Sequence, residues 1–215
     1  MKSDLRSWLV SADFRKVLDA ALNSNRVISS LITLTYANDT LLGWRAIDAI
    51  GRCAAHLAPS RSEVFKNYLL RLFWMMTDES GSFAPRAPEV IGEIVRSNPE
   101  KFSDFIPMTV SLMNLEPEDR PVFLPGILYA LGRIGEAAAD TIDGSIAGIE
   151  IALSDPDSQA RAMAVWCLGR IGRHAILRRH PELGQDNGNA QLYHEEHLLD
   201  TTVGDLYKRT LQVAR

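Results

Sequence analysis

"VWCLGRIG", residues 165–172, closes an amphipathic stretch with two glycines and an arginine, and "LYALGRIG", residues 128–135, says nearly the same 37 residues earlier. A segment that ends the same way twice at a fixed interval points to an internal repeat, and a missed repeat would mistake the whole fold. Ungapped alignment widens the pattern to "GWRAIDAIGRCA" (43–54), "APEVIGEIVRSN" (87–98), "LPGILYALGRIG" (124–135) and "RAMAVWCLGRIG" (161–172). The anchors Gly51, Val95, Gly132 and Gly169 stand 44, 37 and 37 residues apart. Apolar residues recur at Ala46, Ile47 and Ile50; Val90, Ile91 and Ile94; Ile127, Leu128 and Leu131; and Ala164, Val165 and Leu168. That i, i+1, i+4 spacing predicts one buried helical stripe per block. Gly169 is expected to let a neighbouring helix approach closely, and Gly172 to end its helix with a left-handed residue.

A second apolar helix precedes each block: "RVISSLITLTY", "VFKNYLLRLFWMM", "FSDFIPMTVSLMN" and "SIAGIEIALS". The unit is therefore helix A, short turn, helix B. Capping residues are expected at Ser24 or Asn25, at Ser62, and at Asp157 or Ser158, and Pro99, Pro117 and Pro156 fall between helices. Residues 1–23 read as one or two capping helices, 24–176 as four repeats, and 177–215 as a turn-rich segment, a small β-hairpin through "YHEEH" and a terminal helix. The predicted fold class is all-α, a right-handed α-α superhelix.

Composition bounds the function classes. Of 215 residues, 46% are hydrophobic and 23% charged, as in ordinary globular proteins. No apolar run approaches the roughly 20 residues of a membrane span. The charged start "MKSDLRSWLVSADFRK" does not read as a signal peptide, so a cytoplasmic location is the expectation. A net charge of −4 supplies no general attraction to phosphate backbones, which disfavours nucleic acid. Cys53 and Cys167 each occupy an apolar helix position and read as buried, reduced thiols.

These units resemble HEAT-like repeats, particularly those of phycobilisome-lyase-like proteins, and the strongest match is "LSDPDSQARAMAVWCLGRIG", residues 153–172. The resemblance implies a solenoid in which Asp155 and Arg161 link successive turns and helix B lines the concave surface. Ala87 and Leu124 stand where the repeats would carry that arginine. "DESGSFAPRAPEVIGEI", "FIPM" and "TTVGDLYKRTL" resemble a small group of uncharacterised bacterial HEAT-repeat proteins.

Helix geometry at 100° per residue turns Trp44, Asp48 and Arg52 away from the buried stripe. The same register selects Arg96, then Tyr129 and Arg133, then Trp166 and Arg170. Two readings apply. The row of arginines flanked by aromatic rings suits an acidic protein or peptide, because guanidinium groups fork onto carboxylates and stack on rings. Alternatively, each arginine only complements the negative end of its helix and covers its neighbours with an alkyl stem. The longer connection at 77–89 supplies Glu79, Arg86 and Glu89 as further candidates, either as a binding loop or as a solvated joint.

His194 and His197 lack the HExxH spacing of a zinc helix, and "DNGN" lacks the ligand pattern of a calcium loop. No phosphate loop or nucleophile elbow occurs, so no catalytic, metal or cofactor residue is assigned. The expected function is a non-enzymatic protein-binding or scaffold module that uses the helix B surface and the 77–89 loop. The alternative is an enzyme or cofactor-handling protein, since phycobilin lyases and some DNA glycosylases are built from similar repeats.

Overall fold

All four apolar stripes turn inward in the computed structural model, which describes residues 2–77, 84, 86–115 and 120–213. Ala46, Ile47, Ile50, Val90, Ile91, Ile94, Ile127, Leu128, Leu131, Ala164, Val165 and Leu168 are each at most 1% exposed. Eleven α-helices and one two-stranded sheet occur among the described residues, so the chain is all-α apart from a hairpin. Two units form. One contains the described residues up to Phe102 together with Tyr193–His197; the other contains those of Ser103–Leu192 and from Leu198 onward.

In the first unit, α1 (Lys2–Val10) and α2 (Phe14–Asn23) are the capping helices. The chain reverses between them at Ala12, φ 54°, and Asp13 caps α2 by accepting the Lys16 N–H at 3.3 Å. Then come α3 (Arg26–Leu34), α4 (Thr40–Thr77) and α5 (Ala87–Ser97), with α4 packed against both neighbours. The boundary expected near Ser62 falls at Arg61, where two helices meet across a kink within the span of α4. Arg61 leaves helical geometry (φ −136°, ψ 37°) two residues after Pro59, whose ring and missing N–H weaken the ladder there. The kink also employs Arg61: its guanidinium donates to the Ala21 and Leu22 carbonyls at 3.2 and 2.8 Å, closing the end of α2.

The second unit contains α6 (Phe105–Ser111), α7 (Arg120–Ile134), α8 (Ile146–Ala152), α9 (Ser158–Arg170), α10 (His174–Leu177) and α11 (Val203–Val213). Asp157 caps α9 by accepting the Gln159 N–H at 3.0 Å. At the other end Gly172 is left-handed, φ 75°, while Arg173 N–H reaches the Leu168 carbonyl at 2.8 Å and Gly172 N–H the Gly169 carbonyl at 3.2 Å. This pair of bonds satisfies carbonyls that the helix itself leaves unpaired. Gly135 ends α7 with the same left-handed turn, φ 65°. The "LGRIG" signature thus combines a stop at its last glycine with a close approach at its first. A Cβ on Gly132 would lie 2.5 Å from the Trp166 ring of α9, and one on Gly169 would collide with Thr210 of α11.

The Asp155–Arg161 pairing implied by resemblance is replaced by a longer-range one. Arg161 forks onto Asp186, with Nε–Oδ2 2.7 Å and Nη2–Oδ1 3.1 Å, and donates to the backbone carbonyl of Asp155 at 2.7 Å. The Asp155 carboxylate instead accepts the Asp157 N–H at 2.9 Å. Asp186 also accepts the Gly188 N–H at 2.8 Å, so Arg161 holds the start of the hairpin strand β1 (Asn189–His194). Arg161 keeps the Asp186 carboxyl below its ordinary pKa, with the Gly188 N–H contributing. Two bonds between Gln159 and the Gln191 backbone, at 2.8 and 2.9 Å, complete the attachment.

Strand β2 (His197–Thr202) returns from a two-residue turn at Glu195 and Glu196, where "YHEEH" was expected to turn. Cys53 and Cys167 are buried free thiols, and burial pushes each up to about 12.

Candidate functional site

The outward stripe expected from helix B needs correction in both units. Trp44 and Asp48 are each 8% exposed, and Tyr129 is 2% exposed. Helix B is not a two-faced surface helix: in α5 every residue from Ala87 to Val95 is buried. A wheel built from one helix cannot register what long-range segments place on its polar side.

In the first unit that covering segment is the hairpin tip. The Tyr193 ring stacks on Trp44, with centroids 5.5 Å apart and planes within 5°. Its hydroxyl donates to Asp48 Oδ2 at 3.0 Å, and burial together with the Asp48 charge raises its pKa. Arg52 forks onto both Asp48 oxygens at 3.0 Å, reaches Glu196 Oε1 at 2.7 Å and lies 3.9 Å above the Phe14 ring. Arg45 donates to the Glu196 carbonyl at 3.1 Å and to the last carbonyls of α1. Trp44, Asp48 and Arg52 are therefore brought together, as the register predicts, with Trp44 and Asp48 buried and Arg52 still exposed beside Glu196.

Beside them, the Arg86 guanidinium lies 4.2 Å from the Trp44 ring centre and 3.4 Å from Glu89 Oε1. Glu89 is 5% exposed, so it belongs to the packed interior rather than to a solvated joint. Among the described residues, neither Glu89 Oε2 nor Arg86 Nε has a hydrogen-bond partner. Arg96 Nε donates to the buried Glu93 carboxylate at 2.8 Å, which explains that arginine by local pairing. Glu79 lies outside the described residues.

Burial raises the Glu89 pKa, against the opposing charge of Arg86. The folded protein thus binds this proton more tightly than the unfolded chain does. The site's contribution to stability is then greatest in acid and falls as pH rises through the unfolded pKa of about 4.3 toward the raised folded value. Glu89→Gln mimics the protonated acid and leaves Arg86 beside a cavity of about 330 Å³, which it lines with Thr35, Tyr36 and Gly43 and from which water can reach it. Thermal melts should show E89Q equal to the parent near pH 4 and more stable at pH 8; an unchanged difference across that range would refute the assignment.

In the second unit, Tyr129 and Trp166 occupy equivalent positions of consecutive repeats and stack at 5.4 Å, with planes within 11°. Trp166 therefore buries Tyr129 while keeping part of its own ring at the surface. Arg133 leans over Tyr129 with its guanidinium 5.9 Å from the ring centre, half-buried. Arg170 is exposed at the end of α9. Of the original stripe, Arg170 is exposed, and Trp166 and Arg133 are half-buried.

Sequence reading missed Tyr193, Glu196, Arg45 and Asp186. One signal was available for the tip: both turn positions require left-handed backbone, where Asn-Gly is the easy choice, and the chain places Glu-Glu there. No group of residues suited to a metal ion occurs among the described residues, and none of their helices is long and apolar enough to cross a membrane.

No family model matches the chain. An uncharacterised protein of Archaeoglobus fulgidus is 33% identical over 145 residues, covering 67% of this chain and 74% of that protein. Among solved structures, the chain is similar to an archaeal HEAT-like repeats protein from Thermococcus onnurineus NA1, with TM-score 0.41 and 15% identity over 100% of this chain and 80% of that one.

Proposed function

We infer that this chain, which belongs to the same family as the uncharacterised Archaeoglobus fulgidus protein and whose repeated helical units resemble HEAT-like repeats, is a non-enzymatic protein-binding module. The observation that carries this reading is Arg170. It ends the helix B stripe exposed, with no carboxylate paired to it among the described residues, one helical turn beyond the half-buried Trp166 and at the position equivalent to the half-buried Arg133 of the preceding repeat. Arg52, Arg96 and Arg161 are instead each committed to a carboxylate of the fold. A dipole role alone asks for a cation near the helix end but not for an adjacent aromatic ring. An arginine next to an indole edge is a frequent anchor at protein interfaces, since it offers forked hydrogen bonds and a stacking plane.

The partner proposed is a protein or peptide surface carrying carboxylates. Affinity capture from the source organism should recover it with the unaltered chain, and Arg133→Glu/Arg170→Glu should reduce recovery at least tenfold while far-UV circular dichroism stays unchanged. Equal recovery by the reversed variant would refute this assignment of the surface.

A further inference from the structure

The Tyr193–His197 tip meets helix B of the first unit through directional chemistry. It presents an aromatic ring to Trp44, a hydroxyl to Asp48 and a carboxylate to Arg52. The turn that delivers these groups is not built for ease. Glu195 and Glu196 both hold positive φ, 46° and 69°, a conformation that disfavours side chains with a Cβ. Glycine at 196 would relax that backbone and keep the carbonyl that Arg45 binds. What it would remove is the carboxylate that Arg52 takes at 2.7 Å. The Glu196 side chain thus supplies a contact to Arg52 that an unstrained glycine could not. Arg52 and Glu196 also stay open to water, at 42% and 32% side-chain exposure, so their pair is screened and can exchange partners.

We propose that the Trp44–Asp48–Arg52 face is a receptor for a tight turn carrying an aromatic ring and, three residues on, a carboxylate, and that the Tyr193–Glu196 turn is its resident occupant. The binding partner is then a protein whose surface turn offers the same aromatic-to-acid spacing and competes for Trp44 and Arg52. This rests on the reading of the chain as a protein-binding module but assigns a separate surface and a defined ligand chemistry.

The probe is a cyclised, fluorescein-labelled peptide of the sequence LYHEEHL, titrated against the full chain and read by anisotropy. Vacating the face with Tyr193→Ala/Glu196→Ala should tighten peptide binding at least tenfold over the unaltered chain. Adding Arg52→Glu to that variant should return binding to the level of a control peptide whose tyrosine and second glutamate are alanine. Peptide binding no tighter to the vacated chain than to the unaltered one, or indifferent to Arg52→Glu, would overturn the proposal. If the double variant loses helical signal, Glu196→Gln is decisive in its place, because it keeps the ring stack and the turn. It should tighten binding at least threefold, and no change would overturn the proposal. Loss of partner capture on reversing Arg133 and Arg170 is a separate result, so either reading can fail without the other.

Discussion

Arg161→Ala should destabilise the second unit by about 3 kcal/mol, the low end of the roughly 3–5 kcal/mol expected when one partner of a buried charge pair is removed. Arg161 and Asp186 are each 19% exposed in their side chains, so the Asp186 charge left behind would be only partly hydrated. The loss is larger than one ion pair implies. The same guanidinium carries the carbonyls of Asp155 and Pro156, at 2.7 and 3.2 Å, and thereby ties the loop before α9 to the segment that starts β1. Urea unfolding followed by circular dichroism would read the change. A double variant with Asp186→Ala should lose less than the sum of the two single losses, because neither charge is then stranded. Strictly additive losses would show that the pair does not act as a unit.

Gly132→Val should cost about 3 kcal/mol, the upper end of what overpacking a close-packed interior costs. The first added carbon would stand 2.5 and 2.7 Å from two Trp166 ring atoms and 3.2 Å from the Cys167 Cα. A tryptophan can turn away, but the Cα of α9 cannot, so the helices must separate. Displacing Trp166 would also uncover Tyr129, which it now stacks upon. The helix preference gained on losing glycine, about 1 kcal/mol at most, is too small to compensate. Trp166→Leu should restore part of the loss in the Gly132→Val background, since it removes the ring that collides first. No restoration, or a Gly132→Val chain as stable as the parent in urea, would contradict the close approach.

These two sites show where sequence reading reaches and where it stops. Gly169 and Gly172 were legible because stop and approach are local needs, and the structure shows the same two roles at their repeat equivalents Gly132 and Gly135. The apolar stripes were legible for the same reason: a helical period is written within a dozen residues. Asp186 was not legible as the partner of Arg161, because a separation of 25 residues across a turn-rich segment leaves no periodic trace. Tyr193 was further still from Asp48, 145 residues along the chain, and its arrival reverses the exposure expected for Trp44 and Asp48. The joint at Arg61 lay between these cases: Ser62 marked the start of the next helix, and the break falls one residue before it, whereas the reach of Arg61 to the end of α2 left no local trace. Candidate residues were therefore found by type and register, whereas their openness depended on tertiary cover.

Openness is also what the proposed function depends on, and arginine-selective labelling reads it on the unaltered protein. Phenylglyoxal treatment followed by peptide mass spectrometry should modify exposed Arg170 readily and Arg161 slowly in the free chain. In the complex with the captured partner, Arg170 and Arg133 should become protected, while exposed Arg15 and Arg26 keep their reactivity. Labelling of Arg170 in the complex at the rate of the free chain would contradict the claim that this end of helix B is where the protein binds.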